Sequence, residues 1–168
     1  MKYIDFDGVI LDTEGILFEE WRKNPDRHSL PPIEKIKYIQ NRDWNYIINN
    51  SAVINDADYY LKQMDPTQTA ILTKIHSLDN EAVAKIKWVR DNNIKQPVIL
   101  VPYPLKKTEV VDAKDSILVD DCLRNLDDWQ EFGGEGIFFD IDDDNIDSWQ
   151  QPNTKGYQKI LSLKNIGK

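Results

Sequence analysis

Two carboxylates two residues apart, Asp5 and Asp7, stand where the first apolar run of the chain ends, in Asp5-Phe6-Asp7-Gly8-Val9. Carboxylates sharing a small space repel each other unless one is protonated or a cation lies between them, so the pair points to acid/base work or a metal. Gly8 lets the backbone turn tightly behind them. Taken alone, such a stretch is as readily a turn and a helix cap. A second acidic pair, Asp120-Asp121, closes the apolar run Ile117-Leu118-Val119, with Asn125 a turn later. These are hard oxygen donors of the kind Mg²⁺ takes while keeping several waters. A cation held by Asp5, the Asp7 backbone carbonyl and one of Asp120 or Asp121 would relieve the repulsion among the four carboxylates.

Groups able to hold an anion occur at neighbouring points of the chain. Thr73 follows Ile71-Leu72, where its hydroxyl and nearby backbone N–H groups can hold a phosphate oxygen, and Lys74 comes next. Lys106-Lys107 lie beyond the run ending at Val101, and Lys114 stands nearer to Ser116. Adjacent lysines are commonly a solvated surface; of the three, Lys107 is the preferred candidate to point inward.

The elements that must position these residues alternate along the chain. Strands are expected at Lys2–Phe6, Ala70–Thr73, Pro97–Val101, Ser116–Val119 and Gly136–Phe139, apolar on both faces as a covered parallel sheet requires. Helices are expected at Asn80–Asn92, through Val83, Ile86 and Val89, and at Arg124–Phe132, through Leu126, Trp129 and Phe132. This is the pattern of a doubly wound α/β sheet, in which ligands bind beyond the carboxyl ends of the strands. The core then comprises residues 1–12 and 68–168. Residues 13–67 are far longer than a crossover needs and form a helical cap insertion, with helices around Ile16–Lys23, Ile33–Gln40 running toward Ile48, and Asp56–Met64. Tyr157–Ile166 reads as a closing helix.

In order, spacing and placement the set resembles the haloacid dehalogenase superfamily: Asp5-Phe6-Asp7-Gly8-Val9, then Ile71-Leu72-Thr73, a lysine before the fourth strand, and Ile117-Leu118-Val119-Asp120-Asp121. The resemblance covers the core and not the insertion. It implies a three-layer α/β fold with strand order 5-4-1-2-3 and a cap after the first motif. It also implies Mg²⁺-dependent phosphomonoester hydrolysis through an aspartyl-phosphate. Asp5 would be the nucleophile, Asp7 the general acid and base, and Thr73 with Lys107 would hold the phosphoryl oxygens. Asp5, Asp7, Asp120 and Asp121 would form the metal site, and Gly8, Thr13, Lys74 and Lys106 would border the substrate. The second aspartate favours phosphatases and mutases over dehalogenases. The insertion and double aspartate look like the deoxyribonucleotidase branch, which often carries an aromatic where this chain has Thr13; Phe18, Trp21 or Trp44 could replace it as a base-stacking face.

A net charge of −8 and a pI near 4.8 argue against a nucleic-acid polymer as partner, leaving a small phosphorylated metabolite. No apolar run approaches the roughly 20 residues of a membrane span. The chain runs from Met1 straight into a strand pattern, leaving no room for a signal peptide, and its lone Cys122 excludes an intrachain disulfide; a cytoplasmic setting is expected. His28 and His76 are assigned no role. The acidic run Asp140-Ile141-Asp142-Asp143-Asp144 with Asp147 lacks the glycine and terminal glutamate of a calcium loop and reads as solvated. Alternatives to hydrolysis are a phosphotransferase or phosphomutase, and a non-catalytic binding protein that would have no need of Asp7.

Overall fold

In the computed structural model, residues 1–140 and 156–166 are described; the acidic run beyond Asp140 lies outside them. Strands β1 (Lys2–Ile4), β2 (Thr69–Ile75), β3 (Val98–Pro102), β4 (Ile117–Asp120), β5 (Glu135–Phe139) and β6 (Gln158–Ile160) form one sheet in the order β3-β2-β1-β4-β5-β6. Every pairing is parallel. The expected order is present with one strand added at the β5 edge.

That strand corrects the closing helix expected at Tyr157–Ile166. Tyr157, Ile160 and Leu163 are buried and spaced three apart, which mimics a helical stripe. The unpaired edge of β5 offers a row of backbone donors and acceptors, and pairing with it outweighs the local pattern. Only Leu163–Asn165 form a helical turn, of the 3₁₀ type.

Successive strand residues face opposite sides of the sheet, and the core divides accordingly. Ile4, Phe6, Ile71, Val119, Ile137 and Phe139 face one cluster, joined by Ala84 and Val89 of the helix α6 (Glu81–Asp91). Tyr3, Ala70, Leu72, Leu118 and Phe138 face a second, joined by Leu123, Leu126 and Trp129 of α7 (Leu123–Glu131). Helix, sheet and helix make the three layers.

The long insertion carries α1 (Thr13–Leu17), α2 (Glu19–Lys23), α3 (Pro32–Gln40), α4 (Trp44–Asn50) and α5 (Ala57–Gln63). The helix expected to run on toward Ile48 stops at Gln40, because Asp43 begins a new one: its carboxylate accepts from the Tyr46 N–H at 3.0 Å. Leu17, Ile39, Trp44, Ile47, Ile48 and Leu61 of the insertion are buried in the same cluster as Ile4 and Phe6. Backbone bonds from Asp12 N–H to Ala52 O and from Ile54 N–H to Ile10 O tie its return to its departure. No helix among the described residues is long and apolar enough to cross a membrane.

Candidate active site

Strand register brings the acidic residues together. Ile4 lies level with Ile71 and with Val119, so Asp5, Leu72 and Asp120 follow side by side at the carboxyl edge, and the Asp5 N–H donates to Val119 O at 2.9 Å. Thr73 is one residue further along β2. Each group thus leaves the sheet at the edge where α/β proteins bind ligands.

Asp5 is almost entirely buried. Its Oδ1 accepts from the Phe6 N–H at 2.8 Å and pairs with Lys107 Nζ at 2.9 Å, and no donor among the described residues meets Oδ2. Lys107, 2% exposed, also reaches Asp120 Oδ2 at 2.6 Å. The adjacent Lys106 turns outward to Asp128 at 2.8 Å, and Lys114 is exposed on the loop before β4. One residue of offset on a 3₁₀ turn (Lys107–Glu109) separates the inward lysine from the outward one.

The two aspartates at the end of β4, Asp120 within it and Asp121 just beyond, differ in their partners. Both oxygens of Asp120 are occupied: Oδ1 accepts from the Cys122 N–H at 2.8 Å, Oδ2 from Lys107, and the Asn125 side-chain amide donates to each. Asn125 therefore clamps Asp120 with its nitrogen instead of offering an oxygen to a cation. The Asp121 carboxylate has no such donor among the described residues. Gly8, at φ +71°, packs its backbone so closely that a Cβ there would lie 2.1 Å from Asp121 Oδ2. The first motif needs glycine at this position for space as well as for the turn.

Asp5, Asp120 and Asp121 present oxygens within 4.8 Å of one another, with the Lys107 ammonium against two of them. Burial lifts the Asp5 carboxyl to about 7, with Asp120 and Asp7 adding to the effect against the opposing pull of Lys107. Burial and Asp120 push Asp121 up as well. Burial alone would lower the Lys107 pKa, but Asp120 and Asp5 outweigh it and hold the ammonium charged. An all-oxygen, carboxylate-rich cluster with uncompensated negative charge fits a hard divalent cation such as Mg²⁺. Asp7 lies outside that cluster: its Oδ1 accepts from Thr13 Oγ1 at 2.8 Å and its Oδ2 meets Lys85.

The remaining candidates fall on either side of the cluster. Thr13, at the start of α1, is fully buried against Asp7, and Thr73 is fully buried with its Oγ1 3.1 Å from Lys85 Nζ. Lys74, half-buried, enters the network through its carbonyl. Phe18 and Trp44 are core residues, and Trp21 packs on Tyr38 with ring centroids 5.1 Å apart, so these aromatic rings are engaged in packing. His76 donates its backbone N–H to Glu81 Oε2 at 2.7 Å and stacks on Tyr103.

Sequence reasoning missed Lys85, buried against Asp7, and Glu81, buried against Lys85. Of the stripe expected for α6, Val89 is fully buried and Ile86 half-buried, but Val83 is 53% exposed, and Ala82 and Lys85 turn inward instead. A charged residue between Ala82 and Val89 at three-and-four spacing was the available signal. A Glu81/Lys85 pair four apart looks instead like an ordinary solvent-facing ion pair.

The architecture is that of haloacid dehalogenase-like proteins. The chain is similar to a family IA, variant 3 hydrolase of that superfamily from Entamoeba histolytica HM-1:IMSS, at 12% identity and TM-score 0.65, covering 98% of this chain and 94% of that one. It is similar to a D,D-heptose 1,7-bisphosphate phosphatase from Burkholderia thailandensis, at 11% identity and TM-score 0.56, covering 97% and 92%. A third similar structure is a putative beta-phosphoglucomutase from Thermotoga maritima, at 16% identity and TM-score 0.55, covering 86% and 88%. No protein-family model and no curated protein sequence matches the chain.

Proposed function

We propose that this chain hydrolyses a phosphomonoester of a small metabolite through an aspartyl-phosphate on Asp5. The observation that carries this reading is the buried Asp5 carboxylate, held on Oδ1 by Lys107 and the Phe6 N–H and left without a protein donor on Oδ2. An oxygen oriented in this way suits in-line attack on phosphorus.

Asp5 Oδ2 attacks phosphorus, and the bond to the leaving oxygen breaks as Asp7 delivers a proton to it. Asp7 then takes a proton from water, whose oxygen attacks the phosphorus of the acyl phosphate and frees inorganic phosphate and Asp5. Lys107 and the Thr73 hydroxyl hold the phosphoryl oxygens throughout. Asp5 and Asp121, with Asp120 behind them, would hold Mg²⁺, which supplies charge neutralisation and orientation of the phosphoryl group. Residues 13–67 serve as the cap over this edge, with Thr13 joining it to Asp7. The similarity to a phosphatase and a phosphoglucomutase adds support for phosphoryl chemistry in general.

The test is phosphate release from a panel of sugar phosphates and deoxynucleotides, with Mg²⁺ and with chelator. Release that requires Mg²⁺ and disappears in Asp5→Asn, with the fold retained by circular dichroism, is the expected result. Full activity in Asp5→Asn would overturn the mechanism. Failure of every compound would favour a phosphate-binding protein or transfer to an acceptor other than water.

A further inference from the structure

The proposed reaction does not use Lys85, yet this side chain is fully buried and ends among the residues assigned to the chemistry. A lysine is almost never found in such a place unless its charge is paired, because burial strips away its hydration. Its Nζ meets Asp7 Oδ2, lies 3.1 Å from Thr73 Oγ1 and 2.9 Å from the Lys74 carbonyl, and pairs with Glu81 Oε1 at 2.7 Å. Burial works against its charge, but Asp7 and Glu81 more than offset this.

Glu81 stands one turn earlier on α6, and its other oxygen accepts the His76 N–H at 2.7 Å. The ammonium is thus anchored to its own helix and to the end of β2, independently of Asp7. Lys85 holds Asp7 Oδ2 while Thr13 holds Oδ1, so the carboxylate cannot rotate. The Thr73 hydroxyl, 3.1 Å from Lys85 Nζ, donates its own hydrogen to the Lys74 carbonyl at 3.3 Å, so the three ammonium hydrogens are left for Asp7, Glu81 and that carbonyl.

We propose that Lys85 is a positioning residue of the phosphoryl-transfer site: anchored by Glu81, it fixes the Asp7 carboxylate for proton transfer. This rests on the hydrolase reading. A purely structural strut between α6 and β2 is the competing account, and the two predict different kinetics.

The experiment compares wild type, Glu81→Gln, and Lys85→Met combined with Glu81→Gln, measuring melting temperature, kcat, KM and acid-trapped phosphoprotein. The double variant leaves Glu81 neutral, so a fold that fails for want of one buried partner is not the readout. Loss of Asp7 orientation is expected to lower kcat by about a hundredfold in the double variant, with a much smaller change in KM. Glu81→Gln alone keeps the ammonium and is expected to lower kcat less. With p-nitrophenyl phosphate, whose leaving group departs without a proton, the variant should also accumulate phosphorylated Asp5, because only the water-activating step still needs Asp7. Wild-type kcat and no accumulation in a folded double variant would overturn the role of Lys85 and leave the hydrolase intact. A wild type that releases no phosphate from any compound overturns both.

Discussion

Around Asp5 the folded chain concentrates more negative charge than its own lysines neutralise. Because burial lifts the Asp5 carboxyl from 3.8 to about 7, the native state keeps a proton in that window which the unfolded chain has lost. Stability falls with rising pH wherever the native state binds more protons, so this group destabilises the apo protein progressively as pH rises through the window. Asp121 acts in the same direction. In chelator, the urea midpoint of wild type should therefore drop relative to Asp5→Asn between the ordinary value of 3.8 and about 7. A cation that binds only the folded, ionised cluster stabilises by mass action, so Mg²⁺ should raise the wild-type midpoint more at neutral pH than at acid pH. A midpoint indifferent to Mg²⁺ at neutral pH would remove the basis for a cation among Asp5, Asp120 and Asp121.

At the scale of elements, α4 and α6 decide whether the site keeps its shape. Ile47 is fully buried in the cluster that also holds Ala84 and Val89 of α6. Asn80, just before α6, donates to the Arg42 carbonyl at 2.8 Å and accepts from the Trp44 N–H at 3.3 Å, fastening the two helix starts together. Truncating a buried isoleucine to alanine costs about 2–5 kcal/mol through lost burial and the cavity left behind. Ile47→Ala should lose stability in that range by urea denaturation. A loss below about 1 kcal/mol would mean that this interface relaxes or is not formed in solution.

For the whole molecule, the insertion does not have a core of its own. Trp44, Ile47, Ile48 and Leu61 share one continuous cluster with Ile4, Phe6, Ile71 and Val119 of the sheet. Residues that bury one another across such a boundary unfold together, so a single cooperative transition is expected. Tryptophan fluorescence, which senses Trp21 and Trp44 in the insertion and Trp88 and Trp129 in the layers around the sheet, should trace the same urea transition as far-ultraviolet circular dichroism. An early fluorescence change without loss of sheet signal would show the insertion opening as an independent unit.

The α/β alternation and the emergence of Asp5 and Asp120 at strand ends were legible from residue types and order. Apolar runs bounded by Asp5 and Asp120 specify strands covered on both faces, and a carboxylate following such a run must emerge at the sheet edge. The added edge strand at Gln158–Ile160 was not legible, because its pairing depends on what β5 leaves open, and the buried positions of the segment match a helix equally well. Which lysine points inward was also a tertiary decision: Lys106 and Lys107 differ only in which side of one 3₁₀ turn they occupy. Lys85 was hidden for a related reason. A lysine four residues after a glutamate announces a solvated helix face, and only the packing of α6 against β2 turns that pair toward Asp7. Local pattern determined which segments form the frame and where its carboxylates emerge. Which charges are buried together depends on contacts between residues far apart in the chain, and only the folded structure settles those.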